Sequence, residues 1–256
     1  MRMTTDLKQP VFTRGFTLLT ILAFGALSVL IILGSWQVKR LIWKEALIAN
    51  VETKIKAAPV PFATIESQIT GNDKKDRQQL EYQPVTVRGT FDHAKEMFYF
   101  ATLDGDTGFH VYTPMTLSNS DNTVLINRGF VPTEQKLGSA RPNSQPTGEV
   151  EVIGLVRFPD QDKPNRFLPD NDPKANIFFW RSMDEMTAMA GLDTEKTAPI
   201  FIYENKVDNN RLPIGGVTII KFPNNHLGYA VTWYGLALTL IGVYMALAWS
   251  RFKASA

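Results

Sequence analysis

The sequence predicts a membrane protein in which two transmembrane helices flank an α+β extramembrane domain with an antiparallel, β-barrel-like core. Three observations predict it. Residues 15–38 and 227–250 carry no charge, and each stretch exceeds the roughly 20 apolar residues that a helix needs to cross a bilayer. Between them lie six short runs rich in β-branched and aromatic residues, separated by Gly, Asp, Asn or Pro. Most of these runs follow one another without a helical pattern between them, which favours a sheet closed or nearly closed on itself over alternating βα units.

In chain order, residues 1–14 form a tail containing Arg2, Lys8 and Arg14, and residues 15–38 form the first span. The apolar core of that span is longer than the roughly 7 to 15 residues of a cleaved signal peptide, and no convincing small-x-small cleavage site follows it. A retained helix is expected. The second span, residues 226–250, leads into a tail of residues 251–256 with Arg251 and Lys253. Basic flanks mark the cytoplasmic side, so both tails are expected there and residues 39–225 on the far side. Lys39, Arg40 and Lys44, just past the first span, argue against that orientation. The N-terminus lacks an Arg- and Ser-rich amphipathic leader, and the expected location is the bacterial inner membrane with the central domain in the periplasm.

Beyond the first span, Leu41, Ile42, Leu47, Ile48, Val51 and Ile55 recur with a helical period that stops at Pro59 and Pro61. They predict an extension of the first helix. Residues 61–80 are polar and read as a loop with a helical turn. The predicted strands are "PVTVRGTF", "EMFYFAT", "FHVYTPMTL", "TVLINRGFV", "EVEVIGLVRF" and "APIFIYENKV". A helix is expected over Ser182 to Ala190, with Ser182 as N-cap, Asp184 and Glu185 in its first turn and Gly191 as its stop.

The composition excludes several classes of function. A net charge of +2 with scattered basic residues gives no nucleic-acid footprint. The absence of cysteine removes disulfides, thiolate metal sites, covalent c-type haem and cysteine nucleophiles. Met183, Met186 and Met189 recur every three residues and read as one buried helix face rather than a thioether copper site. No nucleophile elbow, phosphate loop, zinc-protease or dinucleotide motif occurs, so nothing nominates an enzyme. Of the three histidines, His93 reads as a solvated turn residue and His110 as a structural or surface residue of a strand.

His226 differs because it stands where the chain enters the second span. At about 100° per residue, Ala230, Trp233 and Ala237 share its helix face and Tyr229 lies on the flank. A planar ring could rest on such a surface, and neutral imidazole is a common axial ligand of haem iron. Gly228, Thr232, Gly235, Thr239, Gly242 and Ala246 form a small-residue stripe opposite, so the helix divides into a histidine side and a packing side. The residues also allow a plainer reading, in which His226 belongs to an interfacial belt with Trp36, Tyr229 and Trp233.

The motifs "LGSWQVKRLIWK", "EYQPVTVRGTFDHAKE", "VLINRGFVP", "GEVEVIGLVR", "NIFFWRSM", "PIFIYEN", "LPIGGVT" and "NNHLGYAVTWYGL", in this order and spacing, resemble the surfeit locus protein family. These are the cytochrome c oxidase assembly factors related to the yeast protein Shy, and the match runs from about Leu33 to Lys253. The resemblance implies a two-helix protein that is not an enzyme. It would assist maturation of the oxidase catalytic subunit and bind haem a through the histidine opening the second span. That ligand would be His226, with Trp233 and Tyr229 as ring contacts, and the implied partners are the oxidase catalytic subunit, haem A synthase and membrane lipid. This chain departs from the family in having Pro223 and Asn225 where an Arg and a Glu are common, and Ser182 where an Asp often follows the arginine. The alternative is a membrane-anchored chaperone that holds an oxidase intermediate without binding haem.

Overall fold

The computed structural model describes residues 13–69, 74–206, 211–217 and 224–255. Most of the N-terminal tail and Pro223 lie outside them. Two compact units emerge, residues 1–50 with 221–256, and residues 51–220.

Helix α1 (Arg14–Ile55) runs unbroken through the first apolar stretch and the predicted extension. Helix α5 (His226–Ser255) forms the second stretch. Both are long and apolar enough to cross a membrane, and little of either is buried within the protein. In the first unit they pack antiparallel. Thr20 Oγ1 meets Tyr244 Oη at 2.8 Å, Ser35 Oγ meets Tyr234 Oη at 3.1 Å, and His226 Nδ1 meets Gln37 Oε1 at 2.7 Å. The shielded positions of α1 include Phe16, Thr20, Ala23, Leu27, Leu30, Gly34 and Gln37, and those of α5 include His226, Ala230, Trp233, Ala237, Leu240 and Tyr244. Alternating steps of three and four make both seams coiled-coil-like.

The second unit opens with the two-residue strand β1 (Val60–Pro61) and the short helices α2 (Ala63–Glu66) and α3 (Lys74–Leu80). Strands β2 (Pro84–Phe91), β3 (Met97–Leu103), β4 (Asp106–Leu117), β5 (Thr123–Pro132) and β6 (Glu149–Arg157) follow. Helix α4 (Met183–Met189) and strand β7 (Thr197–Glu204) complete the unit. All six predicted strands form. Pairing runs β2-β6-β7-β5-β4, and the return pairing of β4 with β2 closes a five-stranded barrel. The barrel is mixed, because β5 and β7 run parallel while its other pairings are antiparallel. Strand β3 extends it as a hairpin partner of β4.

The period-2 alternation of strands sorts the apolar residues into two layers. Val85, Val87, Met115, Val124, Ile126, Val156, Ile200 and Ile202 form one core together with Phe62 and Leu80. The opposite faces of β5 and β7 send Leu125, Phe201 and Tyr203 into a second cluster with Met97, Tyr112, Phe178 and Met186. Ser182 caps α4 by accepting the Glu185 N–H, and Gly191 after it has φ +59°. Met186 is fully buried and Met183 and Met189 pack against the same cluster, so the methionine stripe is a core face.

Two expectations require correction. His93 does lie in a turn, a 3-10 segment, but it is not solvated, with a side chain only 15% exposed. Its Nε2 donates to the Pro146 carbonyl at 2.9 Å, because the segment between β5 and β6 folds over it. The small-residue stripe of α5 is also not the side that packs against the described residues of this chain. Gly228, Gly235 and Gly242 have open space where a Cβ would stand, whereas Ala230 and Ala237 are buried on the histidine side. Tyr244, five turns below His226 and in phase with it, stacks on Phe16 of α1.

Candidate functional site

His226 is the first residue of α5 and is half-buried. Its backbone N–H turns back to Asn224 Oδ1 at 3.4 Å, and its ring meets the buried Gln37 of α1. With the Gln37 carbonyl as acceptor, Nδ1 carries the proton. Nε2 is then the lone-pair nitrogen, and it has no partner among the described residues. A fixed Nδ1–H, bonded to a carbonyl, with Nε2 left to bind a metal, is the arrangement that orients histidine ligands and raises their donor strength.

The predicted ring surface changes in shape. Ala230 is 3% exposed, so a macrocycle cannot lie flat over it. Trp233 is half-buried in the seam and Tyr229 is 55% exposed beside it. An aromatic flank therefore replaces the single face expected from sequence. Gln37 was missed by sequence reasoning. Its signal is a lone amide in the last turn of an uncharged span, but nothing local links it to a histidine 189 positions away.

His110 lies elsewhere, in β4 of the barrel unit, beside a cavity of about 330 Å³ that Tyr99, Tyr112, Asn127, Arg157, Arg181 and Tyr203 also line. Burial pushes its pKa down to about 4, an effect that the neighbouring Asn127 side chain partly opposes, and Nδ1 is buried with no hydrogen-bond partner among the described residues. Tyr112 and Tyr203 share a hydrogen bond of 2.7 Å, and burial first, then Tyr203, drives the Tyr112 phenol well above its ordinary value. The cations here are already matched. Arg181 holds Asp160 through Nη2 at 2.6 Å and Nε at 3.2 Å, and Arg157 Nε holds Glu81 at 2.7 Å.

On the same unit Glu96 is a buried carboxylate gripped by Arg141, with Arg128 Nη1 3.5 Å away and His93 Nδ1 at 3.4 Å. Arg128 Nη2 donates to the Ser144 carbonyl at 2.6 Å and its guanidinium covers the Phe91 ring at 4.8 Å. This cluster ties the 3-10 turns of the 133–148 segment to the residue that precedes β3 and to β5, and is a structural clamp. No group of three or more metal-binding His, Cys, Asp or Glu side chains occurs among the described residues.

Together these features define a class: a protein with two membrane-competent helices and a closed mixed β-barrel domain, bearing a pre-oriented imidazole at the head of the second helix. The match to the SURF1 family model spans residues 24–238. The surfeit locus protein 1 of Rattus norvegicus is 36% identical over 223 residues, covering 80% of this chain and 67% of that protein. The Homo sapiens protein of the same name is 36% identical over 239 residues, covering 86% and 72%. A SURF1-like protein of Drosophila melanogaster is 34% identical over 252 residues, covering 90% and 76%. The chain belongs to the SURF1 family, a membership consistent with a cytochrome c oxidase assembly factor.

Proposed function

We propose that this protein is a non-catalytic assembly factor for haem-copper cytochrome c oxidase that holds haem a as cargo and assists its insertion into the catalytic subunit. One observation carries the reading: the 2.7 Å bond from His226 Nδ1 to Gln37, which leaves Nε2 as the ligating atom. The axial bond would come from His226, with Trp233 and Tyr229 as apolar contacts. Haem a brings an iron that accepts an imidazole and a macrocycle with an apolar body and acidic edge groups. A single protein ligand at a helix terminus suits release, because only one bond must break on transfer.

His226 opens the membrane-competent helix, so the cargo would sit at the bilayer surface with its ring in lipid and its acids toward water. We place both tails in the cytoplasm of a bacterial cell and the barrel domain in the periplasm, on the strength of Arg14, Arg251 and Lys253. The oxidase catalytic subunit would receive the haem, and haem A synthase would be its source. The open glycine face of α5 favours a second reading, in which a partner helix docks there and the protein stabilises an assembly intermediate without haem.

Purification of the full chain from cells that make haem a, beside His226→Ala, separates the two. The first reading expects a haem absorption band in the parent protein that the variant loses. Equal haem content in both would remove His226 as ligand, and no haem in either would favour the interaction reading.

A further inference from the structure

The basic residues Lys39, Arg40 and Lys44 stand within α1, just past its apolar stretch, where orientation by positive charge would not place them, and among the described residues of that unit only Glu45 is acidic. Positive charge retained against the topological rule calls for a local reason. Arg40 is exposed, and its guanidinium lies over the Trp43 ring at 4.4 Å. Stacking fixes the plane of the guanidinium while leaving its N–H edges open. Those edges have no hydrogen-bond or ion-pair partner among the described residues.

The Gln37–His226 bond fixes where Arg40 falls relative to the imidazole. At about 100° and about 1.5 Å per residue, Arg40 is about 60° round α1 from Gln37 and roughly 4.5 Å farther along it. That displacement is away from the apolar span, because Val38 is the last residue before the charges begin. Tyr229, three residues after His226, is offset by the same angle in the same sense on α5. On two facing antiparallel helices, equal offsets of the same sense fall on the same flank. The opposite flank confirms the phasing: Gly34 and Tyr234 are both offset the other way, and the Tyr234 ring comes 3.0 Å from where a Gly34 Cβ would be. One flank of the seam is therefore filled by Tyr234. The other presents Tyr229 and Trp233 below the level of His226 and Arg40 above it.

We propose that Arg40 is the acid-binding end of the His226 site. It receives a carboxylate of the ring whose iron His226 ligates, while Tyr229 and Trp233 meet the apolar edge. The proposal rests on the haem reading of His226. It explains the misplaced charge: a guanidinium at the water side of an amphipathic ligand pairs with its acids in a forked, charge-assisted hydrogen bond. A phospholipid phosphate offers the same oxyanion chemistry, and the test separates the two sources.

The full chain, in nanodiscs of neutral phospholipid, is titrated with haemin and with haemin dimethyl ester, whose carboxylates are blocked. The parent protein should bind the acid roughly tenfold more tightly than the ester. Arg40→Gln should abolish that preference while leaving ester affinity unchanged, and Arg40→Lys should retain part of it. Equal loss for acid and ester, or no loss for either, would overturn the proposal. An acid preference that persists in Arg40→Gln, with binding sensitive instead to anionic phospholipid added to the disc, would assign Arg40 to a lipid headgroup and also overturn it. If His226→Ala binds haemin as the parent does while the Arg40-dependent preference remains, the ligand reading fails and the acid site stands.

Discussion

Two ion clusters of the barrel domain and the polar pair between the helices are built in different ways. In the barrel, Glu96 is enclosed by Arg141, Arg128 and His93, and Asp160 is spanned by two nitrogens of Arg181. Both carboxylates find their counterparts inside the fold, so these clusters tether segments, while elsewhere in the barrel His110 Nδ1 and Thr113 Oγ1 are buried with no hydrogen-bond partner among the described residues. In the helix pair, Gln37 and His226 share one hydrogen bond that satisfies one ring nitrogen and leaves the other. For these groups the contrast is direct: the carboxylates of Glu96 and Asp160 close on arginines and specify structure, and the second ring nitrogen of His226 stays open to a ligand.

Replacing Glu96 tests the closed side most severely. Glu96→Gln leaves buried guanidinium charge uncompensated and should destabilise the chain by about 3–5 kcal/mol in chemical unfolding. A change under about 1 kcal/mol would mean that the cluster is solvated and not a clamp.

The next effect is pH dependence through His110. Its pKa of about 4 in the folded protein lies below the usual 6.5. The unfolded chain therefore binds the proton more readily between those values. This contribution to stability is complete above pH 6.5 and is lost progressively as pH falls toward 4, amounting to roughly 3 kcal/mol at ~1.4 kcal/mol per unit. Unfolding free energies of His110→Gln should fall less steeply across that window than those of the parent. Parallel slopes would contradict the assignment.

On the open side, Gln37→Leu should cost the helix pair only about 0.6 kcal/mol, the usual scale of a hydrogen bond between membrane helices, yet it should alter the absorption of bound haem. A large loss of stability with an unchanged spectrum would make Gln37 structural. The smallest effect belongs to Gly235→Ala. Nothing lies within 4 Å of the added methyl, so stability of the isolated protein should stay within about 0.5 kcal/mol. Any loss of association with an oxidase subunit would then mark that face as a docking surface.

Much of the barrel was legible because its strands alternate and carry β-branched residues, as in "TVLINRGFV". Ser182 announced its cap because a serine hydroxyl at a helix start acts locally, on the N–H three residues ahead. Closure was less legible in detail. The parallel β5–β7 pairing brings together strands separated by β6 and α4, and strand patterns do not encode partner direction. The burial of His93 was illegible for the same reason, since the carbonyl that holds its ring comes from Pro146, 53 positions along the chain. At the site, the helical period placed Trp233 and Tyr229 beside His226, but could not say which face α1 would cover. Small residues permit close approach without requiring it, and here the Ala230 side, joined by the Gln37 bond, was covered instead.

The central claim is that His226 Nε2 is a metal ligand held by Gln37 through Nδ1. It is tested most directly by pulsed electron paramagnetic resonance on the full chain, labelled with 15N-histidine and loaded with ferric haem. The account predicts a directly coordinated imidazole nitrogen in the parent protein and its disappearance in His226→Ala, with His93→Gln and His110→Gln unaffected. The same nitrogen coupling persisting in His226→Ala would contradict it.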